Sequence, residues 1–175
     1  MKEVEYKLIS ELAKNSRRSD RQLAEAIGSS QPTVTRALHR LKEKKVIKEF
    51  TIVPDFDQLG YEILAFTFLK FDRHILQDEY LKIRDKVIER EKESTSSAIM
   101  VLNGAGMGSD RLIVSYHQNY TTFLEHLQRM KQLSDYHITY VDSFIVSVKD
   151  KTNARPLSLS VLAEKIPRLM KTLQS

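Results

Sequence analysis

Ser19–Val46, SDRQLAEAIGSSQPTVTRALHRLKEKKV, holds two short amphipathic segments around a glycine. Ser19 suits an N-cap, with Asp20 near the positive end of a helix whose Leu23, Ala24 and Ile27 turn inward. Gly28 is placed to end that helix in a left-handed conformation. Ser30 can cap the next helix, and Pro32 falls in its first turn, where a missing N–H costs nothing. At about 100° per residue, Val34, Ala37, Leu38 and Leu41 form one apolar stripe. Pro32, Thr33, Arg36, His39 and Arg40 lie on the other side. Cations and short hydroxyl side chains on one helix face are what phosphate and base-edge contacts require, and such a helix fits the DNA major groove. The same pattern also fits a plain helical hairpin with a solvated face, so its surroundings decide.

Upstream, Val4–Ala13 reads as a first helix, with Leu8, Ile9, Leu12 and Ala13 supplying core. Downstream, Val46–Val53 (VIKEFTIV) is β-branched and aromatic and predicts a strand. Three helices followed by a strand is the order of a winged helix-turn-helix. Between Lys14 and Lys48 ten cations face three acids, a surplus of seven, whereas the whole chain carries only +5. A charge excess confined to one module is the footprint of a polyanion-binding face.

Composition bounds the rest. The 175 residues suit one domain or two small ones, and 41% hydrophobic residues suffice for a core. With no cysteine there is neither a disulfide scaffold nor a thiolate metal site. The start MKEVEYKL lacks an apolar signal region, and no stretch approaches the roughly 18 apolar residues of a spanning helix. The expectation is a cytoplasmic protein without membrane contact.

Turn formers and acids at residues 54–61 (PDFDQLGY) mark a boundary. Beyond it the pattern predicts a strand at Ile63–Phe71, a charged helix at Asp78–Glu93 and strands at Ser97–Leu102 and Arg111–His117 around a glycine-rich loop. A helix at Tyr120–Leu133 and a strand at Ile138–Val148 complete it. This βαββαβ order is ferredoxin-like: an antiparallel sheet with both helices on one face. The last strand carries apolar residues on both sides (Val141 and Ile145 opposite Ile138, Tyr140, Phe144 and Val146), which favours a covered outer face and an oligomer.

The fold class is therefore α+β: an N-terminal winged helix-turn-helix domain, a ferredoxin-like βαββαβ domain and an extra C-terminal helix. The expected limits are 1–54 for the DNA-binding domain, 55–61 for a linker, 62–148 for the oligomerisation and effector domain and 149–175 for a helical extension. In that extension Leu157, Val161, Leu162, Ile166, Leu169 and Leu173 recur at helical spacing, with Pro167 set to break or kink the helix. It is expected to pack on its own domain, or else to cover the sheet or a neighbouring subunit.

This combination resembles the Lrp/AsnC family of transcriptional regulators. The residues that carry the resemblance are Leu23-Ala24, Gly28, Ser30, Thr33-Val34, Arg40-Leu41, Val46-Ile47, Leu59-Gly60 and the Gly104–Asp110 loop. It implies double-stranded DNA as partner, a homo-oligomer (dimer or octamer), no cofactor, and a small effector such as an amino acid bound near the loop joining the second and third strands. Gly104, Gly106, Gly108 and Asp110 would be the effector residues. Arg36 and Arg40 lead the expected DNA contacts, beside Gln31, Thr33, Thr35 and His39, with Arg17, Arg18, Lys44, Lys45 and Lys48 on phosphate. The chain departs from the family pattern at Ser29, usually apolar, and at Lys45, usually glycine. Its effector loop is longer, and Lys149–Ser175 runs past the usual end.

Two other classes compete. One is an enzyme similar to the siroheme decarboxylases, which share this architecture; His117 and His126 would then be the residues to suspect. The five histidines nevertheless lack metal-ligand spacing, and no nucleophile elbow or Walker loop is present. The other is a protein-interaction module that keeps the fold without DNA.

Overall fold

In the computed structural model, which describes residues 1–72, 97–132, 138–150, 152 and 157–167, the chain divides into two units. One comprises Met1–Val53 together with Ala154–Ser175, and the other Pro54–Asn153.

The first unit is built on three helices: α1 (Glu3–Lys14), α2 (Asp20–Ile27) and α3 (Gln31–Glu43). Leu8, Leu23, Ala24, Val34, Ala37 and Leu41 are buried together, with Val4, Ile9, Leu12, Ile27, Leu38 and Ile47 packed around them. The apolar stripe of α3 thus meets those of α1 and α2, as its spacing requires. The turn between α2 and α3 follows its local chemistry. Gln22 N–H donates to the Ser19 hydroxyl at 3.3 Å, and Ser19 N–H donates to Gln22 Oε1 at 2.9 Å, a reciprocal cap. Gly28 closes α2 at φ 67°, and Ser29 N–H reaches back to the Ala24 carbonyl at 2.9 Å. Ser30 differs from expectation. Its hydroxyl makes no cap bond to the backbone and instead meets Thr33 Oγ1 at 2.8 Å.

Two further expectations for this unit are corrected. Val46–Val53 is not a strand: the backbone bends at Val46–Ile47 and runs on irregularly to Asp55. β-propensity there finds no second strand to pair with among the described residues of the unit, and Phe50 and Ile52 stand exposed. In the C-terminal segment the described residues, 157–167, do not form one continuous helix, and Leu169 and Leu173 lie outside them. A single turn, α5 (Ser160–Ala163), is interrupted at Glu164–Lys165 before helical geometry resumes at Ile166. This turn packs on α1: Ala163 is buried, and its carbonyl accepts the Ser10 hydroxyl at 2.6 Å.

In the second unit β1 (Ile63–Phe71), β2 (Ala98–Gly106), β3 (Ser109–His117) and β4 (Ile138–Ser147) form an antiparallel sheet in the order β2-β3-β1-β4, the ferredoxin-like order. Helix α4 (Tyr120–Gln132) packs Leu127 and Met130 on Leu69, Ile113 and Val141. The expected helix at 78–93 lies outside the described residues. Residues 56–60 form a turn in which Tyr61 N–H donates to the Phe56 carbonyl at 3.0 Å. It is pinned to the sheet by Phe56, stacked on Tyr116 with centroids 3.7 Å apart.

The glycine-rich loop is shorter than its sequence suggests. β2 runs through Gly104 to Gly106 and pairs with Ser109, so only Met107 and Gly108 remain as the turn. Both have positive φ, 51° and 69°, the geometry that matches strand twist in two-residue hairpins.

Candidate nucleic-acid interface

The exposed side of α3 presents Gln31, Thr35, Arg36 and His39 to solvent. The Arg36 Nε–H donates to the Pro32 carbonyl at 3.2 Å, one turn back on the same helix, while its side chain stays exposed to solvent. His39 Nδ1 lies 3.3 Å from Glu43, an exposed pair four residues apart that adds little to stability. The Thr35 hydroxyl donates to the Asp20 carboxylate and so ties the recognition helix to the start of α2.

Arg40 differs from Arg36. It borders the apolar stripe, and its Nε donates to Glu5 Oε1 on α1 at 3.2 Å. Glu5 is only 4% exposed, and its second oxygen accepts the Lys2 backbone N–H at 2.7 Å. That backbone hydrogen bond, opposed by burial and aided by Arg40, holds the Glu5 carboxyl below the usual carboxylate range. Arg18 is likewise committed, to Glu11, whose carboxyl is also lowered, chiefly by Lys14. Arg17, Lys44, Lys45 and Lys48 are exposed. Lys45 follows α3 at φ 53°, so a residue bearing a side chain occupies the left-handed bend that glycine would enter freely.

The structure therefore brings Gln31, Thr35, Arg36 and His39 onto one open face, buries Thr33 partly beside Ser30, and engages Arg18 and Arg40 with acids. Of the acids that engage these side chains, Glu5 and Glu11 had no place in the sequence reading, and Asp20 entered it only as an acid at a helix start. Their signal was present: Glu5 lies three residues before Leu8 on the inward side of α1, an odd place for an unpaired carboxylate.

The four residues assigned to an effector are spread along the hairpin. Gly104, Gly106 and Gly108 are exposed, while half-buried Asp110 accepts the Phe71 N–H at 3.1 Å and so continues the β1–β3 edge. His117 and His126 do meet, with ring centroids 5.0 Å apart between β3 and α4. His117 Nε2 lies 2.8 Å from the Ser115 hydroxyl, and His126 Nε2 is buried with no hydrogen-bond partner among the described residues. Burial first, then the neighbouring His117 and Arg129, push His126 down to about 4, so it is neutral in the fold.

The chain thus joins a basic helix-turn-helix unit to a ferredoxin-like sheet unit. Residues 1–48 match the family described as winged helix-turn-helix DNA-binding. An uncharacterised HTH-type transcriptional regulator of Pyrococcus abyssi is 42% identical over 67 residues, 38% of this chain and 45% of the relative. The chain spans less than half the length of this and the next two Pyrococcus regulators it matches. Two crystal structures share the whole architecture. An AsnC family transcriptional regulator from Agrobacterium tumefaciens superposes with a TM-score of 0.70 at 17% identity, over 93% of this chain and 99% of the other. The Neisseria meningitidis transcriptional regulator solved in complex with L-Met gives 0.68 at 17% identity and the same coverage. The chain has the fold of the Lrp/AsnC transcriptional regulators, as its sequence resemblance implied. No described helix is long and apolar enough to cross a membrane.

Proposed function

We propose that this protein is a sequence-specific DNA-binding transcriptional regulator of the Lrp/AsnC type, a homo-oligomer, cytoplasmic, and modulated by a small effector. The observation that carries the reading is the open face of α3. Gln31, Thr35, Arg36 and His39 project there from a helix whose other side is locked into the core, in the module that holds the chain's charge surplus. Such a helix inserts in the major groove with its polar side chains on base edges, while Arg17, Lys44, Lys45 and Lys48 meet phosphates on either side. Two copies related by a dyad read half-sites about one helical turn apart. Oligomerisation is supported by the exposed apolar residues of the sheet, among them Ile99, Met100, Phe144 and Ile145. An amino-acid effector is supported by the L-Met complex of the Neisseria neighbour, and the contacts assigned to it on the sequence resemblance are Gly104, Gly106, Gly108 and Asp110. Catalysis by His117 and His126 is disfavoured, because both are withdrawn between sheet and helix and His117 is held by Ser115.

The test is binding to a duplex enriched from a randomised pool, titrated against a shuffled duplex over a range of salt. Arg36→Ala is expected to lower discrimination between the two by roughly 1–3 kcal/mol if its contact is bidentate. Equal loss on both duplexes makes Arg36 a phosphate anchor. A wild-type protein that retards neither duplex at low salt, with or without amino acids, favours the protein-interaction class instead.

A further inference from the structure

Glu5 is a buried carboxylate on α1, with each oxygen held by a different element. Oε2 takes the Lys2 N–H at the start of α1, and Oε1 takes the Arg40 Nε–H from α3. A carboxylate withdrawn from solvent is costly unless it is paired and hydrogen-bonded. Here both conditions are met, and the pair joins the helix that reads DNA to the helix that does not. We infer that Glu5 is a positioning residue for DNA recognition: it fixes the Arg40 guanidinium through Nε, so that the terminal nitrogens meet one phosphate in one register. This rests on the DNA-binding reading above.

Three features support it. Arg40 keeps more than a third of its side chain open to solvent while Glu5 keeps almost none, so the pair has one anchored end and one available end. An arginine presents five N–H donors in a rigid fork; occupying the Nε donor orders the fork and leaves the others for a second acceptor. The carboxylate also offsets the charge of Arg40, so its contact contributes less to the general attraction of polyanions than that of Arg36, which donates to the Pro32 carbonyl rather than to an acid. A phosphate contact of fixed direction sets register, and register decides which bases Gln31, Arg36 and His39 face.

The experiment is a double-mutant cycle on the full chain with Glu5→Gln, Arg40→Gln and the double variant. Glutamine keeps an oxygen for the Lys2 N–H, so the start of α1 is preserved while the charged partner of Arg40 is lost. Affinity is measured for the enriched and the shuffled duplex, and thermal midpoints confirm folding. Glu5→Gln is expected to lower the ratio of the two affinities by about tenfold, mostly by raising affinity for the shuffled duplex. In the Arg40→Gln background the same change is expected to do nothing further. Glu5→Asp, with the charge kept but the reach shortened, is expected to fall between. An effect of Glu5→Gln that persists undiminished without Arg40, or an unchanged ratio in a folded Glu5→Gln protein, overturns the inference and leaves the DNA reading intact. Wild-type protein that binds neither duplex overturns both.

Discussion

At the scale of single residues, Lys45 is where chemistry and conformation conflict. Its φ of 53° is a conformation that costs a side-chain-bearing residue on the order of 1–2 kcal/mol. Lys45→Gly should therefore stabilise the helical unit by roughly 1 kcal/mol, less what glycine adds to the freedom of the unfolded chain. The same substitution removes a cation, so the dependence of DNA affinity on salt should weaken by about one unit of slope. Thermal melting and a salt titration separate the two, and a lowered midpoint would show that the lysine side chain is held by contacts that outweigh the strain. The departure from glycine was visible in the sequence. That the bend would be kept rather than abandoned was not, because it depends on Val46 and Ile47 N–H groups bonding back to the Leu41 carbonyl.

At the scale of elements, legibility follows the source of each element's stability. α2, α3 and β1 carry their own signals: a cap, a glycine stop, a stripe or a run of β-branched and aromatic residues. Each was readable to within a residue or two. Val46–Val53 has the strand composition but no strand partner among the described residues, and a strand is a property of a pair. The hairpin misled in the opposite direction, since three glycines in NGAGMGSD suggest a loop where a two-residue turn suffices. The His117–His126 contact was invisible, because it joins β3 to α4 across the core. It has a consequence for pH. His126 sits at about 4 in the fold against about 6.5 in an unfolded chain, so below 6.5 the unfolded state takes up a proton that the folded state refuses. The stability that depends on neutral His126 is thus complete above pH 6.5, declines as pH falls from 6.5 to 4, and is gone below. The thermal midpoint should drop through that window, and His126→Leu should flatten the drop. A variant with the wild-type slope would place the sensitivity elsewhere.

At the scale of the whole molecule, the chain does not run from one domain to the next and stop. It leaves the helical unit after Val53 and returns at Ala154, so that Ala163 is buried against α1 and bonded to Ser10. The amphipathic spacing of the extension was readable, but its destination was not, because a stripe of leucines and valines names no partner. Deleting Ala154–Ser175 should uncover one flank of α1 and lower the stability of the helical unit by about 1–2 kcal/mol, through the lost hydrogen bond and the exposed apolar surface. Near-ultraviolet or fluorescence melting of the truncated chain would detect it, and an unchanged midpoint would mean that α5 rests on α1 without supporting it.

The Ser10–Ala163 bond also bears on synthesis. Its partners are 153 residues apart, and everything that builds the sheet unit lies between them. As the chain leaves the ribosome, α1, α2 and α3 can assemble early, yet Ser10 waits for its acceptor until the sheet strands have been made. The contact between α1 and α5 closes only after the sheet strands have been made.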